Sequence, residues 1–280
     1  MKITEEQLAV LASLRCERLS SDENNLRLVD SFVNYRNDSI ACVLRNEAFE
    51  EDESGHVAYY VVKNEFGDIL FFFSLKNGML YDQHLDEKTI KLLKQLYEYL
   101  EELDADAGLS ESDKIIVEAV KEKVRSRKGL TNTELEHIPK KNVKILEDLE
   151  HELNKYITHV GRTYSGVELV HFCANNTMND EWEEYGLPQA RGAIVFWQYV
   201  VPVIMEVRKH VGCEYLFIFA ADVSRDLSLE RYYKTLGFVD EGEKATARPL
   251  YDLSCKFMYQ EAAELEHHRQ EFFDHFNSEE

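Results

Sequence analysis

Apolar residues recur at helical spacing over the first fifty positions: Leu8, Leu11, Leu14 and Leu19, then Leu26, Val29, Phe32 and Val33, then Ile40, Val43 and Leu44. Thr4 with Gln7 three residues on has the form of a capping box, in which each side chain serves the other's backbone N–H. The pattern predicts helices, followed by a solvated acidic loop at Glu50-Glu51-Asp52-Glu53-Ser54-Gly55. The period then changes. Residues 57–62 and 69–73 are runs of β-branched and aromatic residues around Asn64-Glu65-Phe66-Gly67-Asp68, which predicts a hairpin continued through residues 75–81. Apolar on both faces, these strands belong in the middle of a sheet.

Helical spacing returns over residues 86–157. Ile90, Leu93, Leu96, Tyr97, Leu100 and Leu103 form one stripe, and Ile115, Ile116, Ala119, Val120 and Val124 another. Thr131 with Glu134 repeats the capping box. Two to four helices are predicted here, inserted before the next strand, residues 167–174. Alternation on that strand places Glu168, Val170 and Phe172 on one side and Leu169, His171 and Cys173 on the other. A polar loop over residues 175–188 carries Glu181, Glu183 and Glu184 around Trp182 and Tyr185, a lining suited to a cation.

Next, the turn Gln189-Ala190-Arg191-Gly192 opens an apolar stretch, residues 193–211. It predicts a buried helix, kinked at Pro202, whose first N–H groups form an anion cradle. Residues 215–219 read as a buried strand, and residues 229–236 as a short helix stopped by Gly237. Residues 239–242 and 254–259 read as a closing strand pair, and residues 260–276 as a helical tail.

Composition adds constraints. With 280 residues and 44% hydrophobic content, one core with an elaboration is expected. Lys and Arg number 32 against 53 Asp and Glu, a formal net charge of -21, which disfavours nucleic acid and anionic membrane and favours cationic partners. An anionic cofactor then needs local positive charge, and Arg208, Lys209, Arg225, Arg231, Lys234, Lys244, Arg248 and Lys256 follow the turn. Five cysteines without a Cys-x-x-Cys pair suit reduced thiols, and the absence of an apolar leader suits the cytoplasm. Gln198 and Pro202 interrupt the longest apolar run, leaving it short of the ~20 residues that span a bilayer. Glu264, His267, His268 and His275 have helical spacing, but no second cluster completes a metal site, and none is expected.

The order of turn, buried helix, strand and Tyr-x-x-x-Gly-Phe, here Tyr233 to Phe238, resembles the GNAT superfamily of acyl-CoA-dependent N-acyltransferases. The resemblance covers roughly residues 167–260 and, loosely, 57–81. It implies an α/β fold, a GNAT-like mixed, mostly antiparallel central sheet flanked by helices, with an all-helical insertion. The implied division is residues 1–85 for N-terminal helices and first hairpin, 86–157 for the insertion, and 158–280 for the acyl-CoA-binding remainder with its helical tail. In the family, a Gln/Arg-x-x-Gly-x-Gly/Ala loop holds the pyrophosphate of coenzyme A. Gln189, Arg191 and Gly192 match it, whereas Ile194 stands where the family has Gly or Ala. Acetyl-CoA is the implied co-substrate, held at Gln189, Ala190, Arg191, Gly192 and Ala193. Its pantetheine would run along Val170 and Phe172 of the fourth strand, where the family's sheet splays.

Amine acylation needs a base, because only the free amine attacks a thioester. Glu168 and His171 are the candidates on the strand, with ordered water as a third. The family assigns the proton donor to the leaving thiolate to the tyrosine matching Tyr233. Tyr232, ~100° away around the helix, is expected to face elsewhere. No Cys, Ser or His constellation suggests a covalent intermediate. The expected function is acetyl transfer to a primary amine of a small molecule or protein, by direct attack in a ternary complex. The alternative is a catalytically silent GNAT-shaped binding or regulatory protein with the insertion as its partner surface. The pattern carries no signal of oligomeric state.

Overall fold

A computed structural model describes residues 3–82, 162–221, 227–240, 243–247 and 255–277. The insertion expected over residues 86–157, its second capping box, Arg225 and Arg248 lie outside the described residues. Two compact units are present. The larger takes its described residues from 3–78, 165–240 and 255–277; the smaller from 79–82, 162–164 and 243–247.

In the larger unit, α1 (Glu5–Ser13) begins with the expected capping box: Thr4 N–H donates to Gln7 Oε1 at 2.9 Å and Gln7 N–H to Thr4 Oγ1 at 3.2 Å. The leucine stripe does not stay helical. The backbone turns extended at Leu14, and β1 (Arg15–Arg18) pairs antiparallel with β2 (Ala58–Lys63). Leu14 joins one core cluster and Leu19 the other, a division that an edge strand makes and a continuous helix does not.

After α2 (Asn25–Leu28) and α3 (Asp38–Asn46), the acidic stretch read as a loop is mostly α4 (Ala48–Glu53). Asp52 is buried, not solvated. Its carboxylate accepts from Arg18 Nε at 2.8 Å and from the backbone N–H of Ser20 at 2.8 Å and Tyr59 at 2.7 Å. Such charge-assisted bonds offset the desolvation of a buried carboxylate.

β2 and β3 (Ile69–Asp82) form the expected hairpin, with a bulge between Val62 and Lys63. The strand order is β1-β2-β3-β4-β5-β7, with β4 spanning Thr163–Ala174, β5 Tyr215–Ala220 and β7 Lys256–Glu261. The short β6 (Lys244–Thr246) pairs with β3 in the smaller unit. The seven-stranded sheet is mixed and mostly antiparallel, because β4 and β5 run parallel. β7 pairs along its length with β5; of the closing pair expected between residues 239–242 and 254–259, the described residues show the bridge Val239 to Tyr259.

The polar loop of residues 175–188 contains a 3₁₀ turn (Asn176–Met178) and α5 (Asn179–Glu184). Then α6 (Arg191–Val195) passes through a π-helical stretch (Phe196–Val200) into α7 (Val201–His210). Pro202 has no N–H for the carbonyl four residues back, and its ring crowds that carbonyl. The widened turn just before it relieves both. α8 (Ser228–Thr235) and α9 (Leu265–Asn277) complete the helices of this unit. Residues of α1, α5 to α9 and one sheet face, including Val62, Phe73, Leu169, Leu216 and Met258, form the larger core. Leu19, Val29, Phe32, Ala41 and Leu44 cover Tyr59, Val61 and Phe72 on the opposite face.

In the smaller unit, buried Asp82 takes Lys244 Nζ at 2.9 Å and the Tyr164 hydroxyl at 3.0 Å on one carboxylate oxygen.

Asn175, at the end of β4, is 2% exposed. Its backbone N–H donates to Leu70 O at 2.9 Å and its Nδ2 to Ile69 O at 2.8 Å, while its Oδ1 accepts from Val33 N–H at 3.1 Å. Asn175→Ala leaves buried backbone groups unpaired, and should lower unfolding free energy by about 2–4 kcal/mol with an unchanged urea m-value.

Candidate active site

β4 pairs with β5 at Gly166 to Tyr215, Val167 to Leu216 and Glu168 to Phe217. Beyond that register β5 stays with β7 up to Ala220, whereas β4 runs on to Ala174. From Leu169 onward one edge of β4 therefore leaves its neighbour, with alternate backbone groups facing the gap. A second irregularity coincides with it. Val167 and Leu169 belong to the larger core, His171 stacks on Tyr59 of the opposite face, and Phe172 is back against the larger core. Odd and even residues cannot share a face in a regular strand, so β4 carries an extra residue between Leu169 and Phe172. The simple alternation expected of Leu169, His171 and Cys173 fails for this reason.

The turn before α6 lies against that stretch. Ala190 is the helix N-cap, with no side-chain cap, and the first helical bond is Ile194 N–H to Ala190 O at 3.2 Å. The N–H groups of Arg191, Gly192 and Ala193 thus have no helical acceptor. Ile194, the departure from the family pattern, is wholly buried in the core.

Arg191 is expected to reach for pyrophosphate with its guanidinium. In the fold that group is committed inward. Nη1 donates to Leu70 O at 3.2 Å and Asn175 O at 2.7 Å, and Nη2 to Met178 O at 3.3 Å and Asn179 Oδ1 at 2.8 Å. The guanidinium carbon lies 5.4 Å from the Trp182 ring centre. Burial pulls its pKa down to about 10, against the pull of Glu181, so it stays charged at neutral pH. Its contribution to the turn is the backbone N–H and the anchoring of the loop.

α8 brings two tyrosines to the same place. Tyr233 is buried, its ring centre 6.5 Å from that of Phe172 and 5.8 Å from that of Phe238. Tyr232, expected to face elsewhere, sets its hydroxyl against Gly192, where any Cβ would collide with it. That oxygen is buried without a hydrogen-bond partner. Burial pushes both phenols above their ordinary pKa, so both hold their protons. The Phe172 ring lies beneath the same turn, its Cε1 3.3 Å from the position of a Gly192 Cβ.

Of the two candidate bases, Glu168 is half-buried at the last paired position, where the strands part. His171 is enclosed. Its Nδ1 is 2.7 Å from Ser74 Oγ, its ring stacks on Tyr59 at 5.6 Å, and Phe72 lies 6.0 Å away. Burial lowers its pKa to about 4, with Glu51 acting in the opposite sense. The basic residues after the turn are largely neutralised: Lys209 pairs with Glu206, Lys234 with Glu230 and Asp240, Lys256 with Asp240, and Arg208 donates to Ala262 O. Among the described residues no group of three or more His, Cys, Asp or Glu is placed to hold a metal, and no helix is long and apolar enough to cross a membrane. Asn175, Asn179 and Tyr232 support the site without having been singled out in the sequence, because what marks them is burial and partner choice.

No protein-family model and no curated protein matches this chain. Among solved structures it is similar to AtaTR bound with acetyl-CoA, at 11% identity and TM-score 0.46, covering 91% of this chain and 97% of that one. A tyrosine-to-phenylalanine mutant of KacT matches at 12% identity and TM-score 0.49, covering 91% and 98%. AtaT complexed with acetyl-methionyl-tRNAfMet matches at 11% identity and TM-score 0.45, covering 90% and 97%. At such identities and scores, the reading of the site rests on this chain's own residues.

Two outcomes test the geometry. Gly192→Ala places a methyl group on the Tyr232 hydroxyl and should destabilise by about 1–3 kcal/mol; adding Tyr232→Phe should recover part of that, the Phe172 contact remaining. His171 has a folded pKa below its unfolded value, so its contribution to stability is complete above about pH 6.5 and is lost as pH falls towards 4. Urea unfolding at pH 7 and pH 5 should show a loss of about 2 kcal/mol from this group, absent in His171→Asn.

Proposed function

We propose that the chain is an acyl-CoA-dependent N-acetyltransferase, acting on a primary amine by direct attack within a ternary complex. The observation that carries this reading is the parting of β4 from β5 after Glu168, with the uncapped turn at Gly192 and the α8 tyrosines on its border. An open strand edge accepts an extended, amide-bearing chain as an added strand would be accepted. Backbone groups at Val170 and Phe172 would hold pantetheine in that way. The N–H groups of Arg191, Gly192 and Ala193, with Gln189 and Ala190 shaping the turn, would hold pyrophosphate, helped by the helix dipole.

Glu168 takes the role of base, because it stands where the strands part, while His171 is engaged by Ser74, packs against Tyr59 and Phe72, and has its pKa lowered to about 4. It removes a proton from the ammonium, and the amine then attacks the thioester carbonyl. As the C–S bond breaks, Tyr233 gives its proton to the departing sulfur, and the second proton that the nitrogen sheds in becoming an amide returns to the phenolate. Burial raises the pKa of Tyr233 and keeps the phenol protonated until the sulfur leaves; the same burial makes the thiolate more basic than it is in water, which draws the proton across.

Titration calorimetry with acetyl-CoA and with CoA tests the cofactor; no binding by the folded protein sinks the enzyme reading and leaves the binding-protein alternative. With any amine that the wild type acetylates, Tyr233→Phe should cut turnover about 10²-fold while acetyl-CoA affinity stays within twofold of wild type. Full turnover in that variant removes Tyr233 from the proton-donor role.

A further inference from the structure

We propose that Tyr232 is a binding residue for acyl-CoA: its phenol O–H donates to an acceptor oxygen of the cofactor where the cofactor passes Gly192. The inference rests on the acetyltransferase reading and adds to it a residue that the Tyr-x-x-x-Gly-Phe pattern does not contain.

Three observations converge. First, the Tyr232 oxygen is buried and makes no hydrogen bond, although buried hydroxyls are ordinarily paired. Such a group is costly to keep in the folded state and signals a role outside the fold's own bonding. Second, it lies on Gly192, the residue whose missing side chain makes room for it, at the border of the gap beside β4. Third, the charged side chain of that turn is engaged elsewhere, with all four Arg191 guanidinium contacts going to Leu70, Asn175, Met178 and Asn179. The turn therefore offers backbone N–H groups, and Tyr232 is the hydroxyl adjoining them. The phenol is held protonated by burial, so it acts as a donor. Tyr232 as a whole is only part buried, so its ring borders the turn while its hydroxyl lies against Gly192.

A binding role and a packing role make opposite predictions for Tyr232→Phe. The variant deletes a buried O–H that has no partner, so the ligand-free protein should melt at the same temperature as wild type or higher. Its affinity for acetyl-CoA, by titration calorimetry, should fall about tenfold, as expected for one lost hydrogen bond to a charged acceptor. With a competent amine, KM for acetyl-CoA should rise with kcat unchanged, the reverse of the Tyr233→Phe pattern. Unchanged affinity overturns the inference. So does a fall in melting temperature that accompanies the weaker binding, because that marks a structural contact. A wild-type protein that binds no acetyl-CoA overturns the acetyltransferase reading itself, and this assignment with it.

Discussion

A single buried cation holds the site's framework together. Arg191 cannot be left in the interior uncompensated, since an unpaired buried charge is among the costliest groups a fold can carry. Four oxygens answer it, from the start of β3, the end of β4, the 3₁₀ turn and α5, with the Trp182 ring alongside. Leu70 is 121 residues from Arg191 in sequence, and the other three oxygens lie within residues 175–179. Pairing both Nη atoms of one guanidinium therefore fixes the end of β4 to the start of the long helix, and that fixes where the uncapped turn sits. Asn175 works on the same knot from the other side, offering its carbonyl to Arg191 and its amide to β3.

The opening of the sheet depends on this anchoring. A strand that leaves its neighbour exposes backbone donors and acceptors, which favours closing again unless something opposes it. The extra residue between Leu169 and Phe172 makes re-pairing in register impossible without turning core side chains to the wrong face. Phe172 then packs beneath Gly192 and beside Phe71, Phe196 and Tyr233. The gap is kept open by packing on one side and by the Arg191 knot at its end.

Much of this was legible in the residues. The capping box at Thr4, the β2–β3 hairpin, the buried helix after Gly192 and the order of elements up to Phe238 all follow from local pattern. What escaped was non-local. Leucine spacing through Leu19 looked helical because periodicity is blind to an edge strand of four residues. The acidic run at residues 50–55 looked solvated because nothing local shows Arg18 and two backbone N–H groups meeting Asp52. Arg191 sits in the motif position, yet motif spacing does not tell which way a long side chain turns. The same limit hid Tyr232: a rotation of ~100° separates it from Tyr233, but Gly192 and Phe172 leave room on the site's side for both.

Charge was expected to matter through the basic residues that follow the turn, and the fold redirects that argument. Lys209, Lys234 and Lys256 each meet a carboxylate, and Arg208 meets a carbonyl. In a chain of net charge -21, acids outnumber cations, and these three lysines are claimed by neighbouring carboxylates. At the turn itself stand neutral groups, the N–H groups of Arg191, Gly192 and Ala193 without helical acceptors and the Tyr232 phenol against Gly192. Their placement is set by geometry: the Arg191 knot fixes the turn, and the Gly192 contact fixes the phenol against it.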